Sequence, residues 1–279
     1  MKTKISTCFW FNGNANEAAQ FYCSIFPSAQ LLSENAIVTT FYAFGQTFTC
    51  LNGRVDFPIN PSISIFINFS SLEELEFVWE KLSQDGNILM PLDKYDWSLK
   101  YGWVQDKFGI TWQLSFESAT EIKQIAVPSL LFVGENFCRA KEALDFYTEI
   151  FPTSNIESIS YQSGQSLDNR VAIKHAQFNL AGYKLKIMES DLKHNFTFNE
   201  GVSLIVYCDN QNEIDHYWES LTAGGKENMC GWLQDKYGVC WQIIPSILPE
   251  LMADQKRSKN VMQAFMKMKK FDIATLLNA

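Results

Sequence analysis

Apolar positions along this chain follow two periods in a fixed order, and the order recurs. Residues 5–11 are a short apolar run of the kind a buried strand leaves. Ala18, Phe21, Tyr22 and Ile25 then fall at i, i+3, i+4 and i+7, one face of a helix over 16–25 that Pro27 ends. Three short strands follow at about 29–33, 38–44 and 47–51, the last two joined at Gly45-Gln46. The order then restarts with a strand at 63–68 and a helix at 72–82. Ser70 or Ser71 is placed to cap that helix, and Glu73 and Glu74 lie near its positive end. A final hairpin turns at Asp106-Lys107-Phe108-Gly109, which suits a type I turn closing in a left-handed glycine.

The whole pattern then repeats. GWVQDKFGITWQL at 102–114 returns as GWLQDKYGVCWQI at 231–243. Phe21-Tyr22-x-x-Ile25-Phe26-Pro27 returns as Phe146-Tyr147-x-x-Ile150-Phe151-Pro152, and Trp79-x-x-Leu82 as Trp218-x-x-Leu221. Three anchors in one order mark a tandem duplication. The second copy predicts strands at 129–133, 156–161, 171–180, 183–188 and 202–208, with helices at 138–150 and 212–221, the latter capped by Asp209. It is about ten residues longer in its early strands. It is about ten shorter before the Gly-Trp hairpin, where the first copy carries ILMPLDKYDWSLKY. Each copy therefore holds two βαβββ units. The expected class is α+β, with domains at 1–118 and 128–245, a linker over 118–127 and a helical tail over 246–279. In the tail Val261, Phe265 and Met268 form one stripe, followed by Ile273 and Leu276, which reads as a docked or dimer-forming helix.

Composition narrows the function classes. The 279 residues are 47% hydrophobic and 14% aromatic, ample for large cores, and the net charge is −8. The densest basic cluster is Lys267, Lys269 and Lys270 in the tail, so neither nucleic acid nor an anionic membrane is an expected partner. Seven cysteines stand singly, an odd number without a CxxC, which fits free thiols in a cytoplasmic protein. The N-terminus lacks an apolar export core. His175, His194 and His216 read as surface or satisfied core residues, Cys230 as a packed thiol, and the repeated turn Asp as a cap for backbone amides.

The Phe11-Asn12-Gly13-Asn14-Ala15-x-Glu17-Ala18 segment, the Phe-Tyr-x-x-Ile-Phe-Pro anchors and both G-W-x-Q-D-K-[FY]-G-x-x-W-Q blocks resemble the PhnB-like group of the vicinal-oxygen-chelate (glyoxalase, bleomycin-resistance) superfamily, labelled 3-demethylubiquinone-9 3-methyltransferase. The resemblance implies tandem glyoxalase-like domains, each of two βαβββ units forming a cup-shaped mixed sheet. It also implies that two fused copies pair as an intrachain pseudo-dimer, with a further homodimer left open. Members that do chemistry place a divalent metal on His, Glu or Gln at set strand positions. Carried over, those positions fall on Thr7, Asn52, Ser64 and Gln113 in the first copy, and on Ser129, Glu189, Ser203 and Gln242 in the second. Hydroxyls and amides are poor ligands for a transition metal, and Glu189 is the single charged donor, so no metal or other cofactor is expected. The same residues suit a small partly apolar ligand held by its polar end, and Trp97 from the first-copy insertion either walls that pocket or covers a sheet edge. Two alternatives stand beside that binding role. One is an enzyme, either a metal-dependent lyase, isomerase or dioxygenase or the methyltransferase of the family label. For the last, no Gly-rich strand–turn–helix loop for a nucleotide-like cofactor is evident. The other is an interaction protein with a vestigial pocket.

Overall fold

The computed structural model describes residues 4–54, 57–117, 125–167 and 170–279. Four βαβββ units follow one another. The first runs β1 (Ile5–Phe11), α1 (Ala15–Ile25), β2 (Gln30–Glu34), β3 (Val38–Ala43) and β4 (Gln46–Asn52). The second runs β5 (Ile63–Phe69), α2 (Leu72–Ser83), β6 (Asn87–Tyr95), β7 (Ser98–Gln105) and β8 (Thr111–Phe116). The third runs β9 (Ala126–Phe132), α3 (Ala140–Ile150), β10 (Asn155–Leu167), β11 (Arg170–Leu180) and β12 (Tyr183–Glu189). The fourth runs β13 (Val202–Cys208), α4 (Gln211–Thr222), β14 (Lys226–Glu227), β15 (Trp232–Gln234) and β16 (Cys240–Pro245). Of the expected linker, 118–124 lie outside the described residues, and Ala126 and Val127 already belong to β9. Ser71 caps α2 through Glu74 N, whereas α4 is capped by Asn210 rather than Asp209.

The units pair across the repeats. One eight-stranded sheet runs β14-β15-β16-β13-β1-β4-β3-β2, joining the first and fourth units. The other runs β10-β11-β12-β9-β5-β8-β7-β6, joining the second and third. The seams are antiparallel, with Cys8 opposite Ser203 and Ser64 opposite Ser129. The reason lies in the first strand of each unit. Val202–Cys208 reads VSLIVYC and Ala126–Phe132 reads AVPSLLF, and almost every residue of both is buried. Strands this apolar on both faces cannot end a sheet at solvent, so each takes a partner on its open side. This is the intrachain pseudo-dimer, with every sheet drawing one unit from each repeat.

The helix-side core, by contrast, is built within each repeat. In the first, Trp112 of β8 packs against Tyr22 and Phe26 of the first unit with ring centroids 5.1 and 4.9 Å away. The turn residue Asp106 fastens this contact. One carboxylate oxygen accepts from Tyr22 Oη at 2.7 Å and Trp112 Nε1 at 2.8 Å; the other accepts from the amides of Phe108 and Ile110. Asp235 repeats the arrangement with Tyr147, Trp241, Tyr237 and Val239. The repeated Asp thus caps its own turn and also ties two units together. Burial outweighs the four donors and pushes the Asp106 carboxyl up to about 6.

The tail is three short helices, α5 (Leu248–Ala253), α6 (Ser258–Phe265) and α7 (Ile273–Leu277). The stripe read as one helix breaks after Phe265 because the chain there is recruited elsewhere. Met268 and Lys269 carbonyls accept from Cys230 N and Gly231 N, each at 2.7 Å, beside the short β15. Phe271 lies on Gly231, where an added Cβ would stand 2.5 Å from its ring. The tail thereby fills the space left by the shortened hairpin of the second copy.

Replacing Asp106 by Ala would leave Tyr22 Oη and Trp112 Nε1 buried without an acceptor. We expect Asp106→Ala to lower unfolding free energy by about 2–4 kcal/mol in urea titrations, with Tyr22→Phe costing about 1 kcal/mol.

Candidate ligand-binding site

Strand alternation sorts every residue to the helix side or to the opposite, concave side of its sheet. On β1, Ile5, Phe9 and Phe11 join the helix-side core, so Ser6, Cys8 and Trp10 line the cup. Thr7 therefore lies on the helix side, where its hydroxyl bonds Tyr183 Oη at 2.7 Å. Asn52 also points there, its Oδ1 accepting Ala15 N at 2.8 Å. Glu189 does the same in the second repeat, accepting from Ala140 N at 3.0 Å and from Ile173 N. Neither α1 nor α3 has a side-chain cap from its own N-cap residue, Asn14 or Arg139. Asn52 and Glu189 are those caps, delivered from the neighbouring strand. The expectation that Thr7, Asn52 and Glu189 line the cups is thus corrected. It placed each one residue away from the cup face, and a one-residue slip on a strand reverses the side.

The residues that do line the cups follow from the registers. In the first sheet they are Cys8, Ser203 and Gln242, whose Nε2 donates to Ser203 Oγ at 2.9 Å, with Thr49 beside Cys8. This cup is closed. Trp10 and Trp232 meet across it with ring centroids 4.9 Å apart, and Phe57 packs on Trp10 at 5.7 Å. Gly53 makes room for the indole, since a Cβ there would stand 2.5 Å from Trp10 Nε1. Burial pushes the Cys8 thiol up to about 12, so it is no thiolate nucleophile.

The second sheet brings together Ser64, Gln113 and Ser129. Gln113 Nε2 donates to Ser64 Oγ at 2.6 Å, Tyr101 Oη donates to Gln113 Oε1 at 2.8 Å, and Ser129 faces Ser64 across the seam. Around this polar floor stand Phe66 and Trp103, and Leu131 occupies the position that Trp10 holds in the other cup. Lys186, paired with Ser129, lies on the same face, its Nζ 3.2 Å from the Phe66 ring centroid. Burial pulls the Lys186 ammonium down to about 8, with Glu117 acting weakly in the opposite sense. Sequence reading missed Lys186, although Tyr183–Glu189 alternates apolar Tyr183, Leu185 and Ile187 with Lys184, Lys186 and Met188. His175, read from the sequence as a surface or satisfied core residue, lies on the face of β11 that Gln177 shares opposite Lys186.

The two copy-specific insertions belong to this same sheet. The long β6–β7 hairpin forms one edge and the long β10–β11 hairpin the other. They curl toward each other. Trp97, at the tip of the first, stacks on Tyr95 at 4.9 Å and comes within 5.9 Å of Lys174 Nζ on β11. Trp97 is 58% exposed.

Neither cup fits a metal. Among the described residues no three His, Cys, Asp or Glu side chains converge on one point. The corresponding strand positions carry Cys8, Thr49, Ser203 and Gln242 in one cup and Ser129, Lys186, Ser64 and Gln113 in the other. An ammonium among them repels a cation. An open groove of about 1160 Å³ lies apart from both cups, between α3 and α4, where Lys4 pairs Glu213 and His216 bonds Ile150 O. Lys4 on its rim is already paired with Asp209 and Glu213.

The family model described as 3-demethylubiquinone-9 3-methyltransferase matches residues 3–115 and again 124–244. The chain belongs to this family. A PhnB protein of Bacillus cereus, itself described as a 3-demethylubiquinone-9 3-methyltransferase, is 37% identical over 40% of this chain and 98% of its own, with a TM-score of 0.39. Glyoxalase I from Zea mays is 10% identical over 90% of this chain and 97% of its own, with a TM-score of 0.55. A Bacillus subtilis protein described as a dioxygenase is 9% identical over 88% and 86%, with a TM-score of 0.50. These last two likenesses are of fold. No curated protein matches the chain. No helix among the described residues is long and apolar enough to cross a membrane.

Glu189→Ala should lower stability by about 2 kcal/mol in urea, because Ala140 N and Ile173 N lose a buried acceptor. Lys186 gives a pH signature of defined sign. Its folded-state value lies below the ordinary 10.5, so the unfolded chain binds more protons between pH 8 and 10.5. Stability of the wild-type protein should therefore rise over that interval relative to Lys186→Met, as read by urea midpoints at stepped pH.

Proposed function

We propose that the protein binds one small, partly apolar molecule per chain in the cup of the second sheet. The observation that carries this reading is the contrast between two cups of one ancestry. The first is closed by the Trp10–Trp232 contact, whereas the second has Leu131 in place of Trp10 and two extended hairpins raising its walls. Its floor offers Gln113, Ser64, Ser129 and Tyr101 as fixed donors and acceptors, and its sides offer Phe66, Trp103 and Trp97 as apolar surface. A few convergent polar groups in an aromatic-lined concavity are what small-ligand sites use.

The reading is tested with N-phenyl-1-naphthylamine, an uncharged probe that fluoresces in apolar surroundings. Saturable binding of one probe per chain is expected. Leu131→Trp would close the cup as Trp10 closes the other, and pairing it with Ser190→Gly supplies the space that Gly53 supplies there. That double variant should weaken binding at least about tenfold, with circular dichroism unchanged. Trp10→Leu should open a second site. Unaltered binding by the double variant would overturn the assignment.

A further inference from the structure

We infer that the ligand of the second-sheet cup is an apolar organic anion, its charge taken by Lys186 and a second acceptor on the molecule taken by the indole N–H of Trp103. The inference rests on the cup being the binding site and adds the chemical class of its occupant.

Lys186 is the carrying observation. It projects from β12 into the concave face, beside Ser129 on the next strand and over the ring of Phe66 one strand further. Three lysines nearer the surface have acidic partners: Lys4 meets Glu213 at 2.6 Å, Lys270 meets Asp215 at 2.7 Å, and Lys184, two residues away on the same strand, meets Glu157 at 3.1 Å. Lys186 makes no hydrogen bond or ion pair with any described residue. Its charge rests on an aromatic face alone, a contact that offsets only part of the hydration given up. A cation held in that position without an anion is incomplete, and an anionic ligand supplies what is missing. Being in a cup with an apolar rim, the ligand must be apolar elsewhere.

Trp103 gives an independent indication. It lies on the cup face next to Gln113, and its Nε1 is buried with no hydrogen-bond partner among the described residues. Its counterpart in the closed cup, Trp232, does not share this deficit. The only unpaired indole there belongs to Trp10, which is packed over Gly53. A buried donor without an acceptor costs roughly 1–3 kcal/mol, which a ligand acceptor would recover.

The charged surroundings agree. Lys174 and His175 of β11 face the same region, and burial with these two lysines holds His175 below its ordinary value. Among the described residues Glu117, after β8, is the one acid that acts on Lys186, and it is already engaged by Asn68 Nδ2 at 3.0 Å. Tyr101, held above its ordinary value by burial, stays neutral. Among the described residues the cup therefore holds the Lys186 ammonium without a paired acid, and burial pulls its value down to about 8.

The test compares two probes that share one aromatic framework: 8-anilinonaphthalene-1-sulfonate, an anion, and N-phenyl-1-naphthylamine, which lacks the sulfonate. With the full-length protein at pH 7 the anion should bind about tenfold more tightly than the neutral probe. Lys186→Met should remove that preference while leaving the neutral probe within about twofold, and Lys186→Arg should restore much of it. Raising the pH from 7 to 9.5 should weaken the anion's binding to wild type but not to Lys186→Met. Equal binding of the two probes, with no effect of Lys186→Met, would overturn the anion inference and leave the cup reading intact. Loss of both probes in Lys186→Met would also overturn it, by making the lysine a support of the cup's shape. Anion binding that persists in the Leu131→Trp, Ser190→Gly double variant would place the site elsewhere and overturn both readings.

Discussion

The pairing of apolar first strands across the repeats is the constraint on which everything else depends. β1 and β13, and likewise β5 and β9, are buried on both faces and lie centrally in their sheets. Once those seams form, the cup floors are set: Cys8 faces Ser203, and Ser129 faces Ser64. The helix-side cores then close within each repeat through Asp106 and Asp235. A repeat is thus a unit of packing, while a cup is a product of both repeats. Neither half of the chain carries a whole site.

Much of the architecture was legible because its determinants are local. The helix face at Ala18, Phe21, Tyr22 and Ile25, the Asp-Lys-[Phe/Tyr]-Gly turns and the four-unit count depend on spacing within a dozen residues. The seams are different. Ile5 pairs with Val206, some two hundred positions away, and no local pattern announces it. The superfamily resemblance, not the spacing, suggested that cups would be completed across copies. The site was legible in part for a related reason. Gln113 and Gln242 are anchored by the turn before them and lie on cup faces, as do Ser64, Ser129 and Ser203, which rest on strand position alone. Thr7, Asn52 and Glu189 were aligned through strands with no fixed turn beside them, and each fell one position from the cup. Lys186 went unseen because a lysine on a strand ordinarily marks solvent, and only the opposite edge of the curled sheet turns that solvent face into an interior.

The two insertions acquire a meaning that the repeats alone concealed. Seen along the chain, one copy gained length early and the other gained it late, as if the copies had drifted independently. In the fold, both gains lie on the edges of one sheet and deepen one cup. The other cup keeps short hairpins, receives the tail along its shortened edge and is plugged by tryptophan.

Fusion into one chain is what permits this division. Were the cups formed by two identical chains, every substitution would appear in both, and a tryptophan that plugged one would plug its twin. In the fused chain position 10 and position 131 are separate, as are 53 and 190. Loss of symmetry is therefore a structural property of this molecule: covalent linkage lets the two cavities differ.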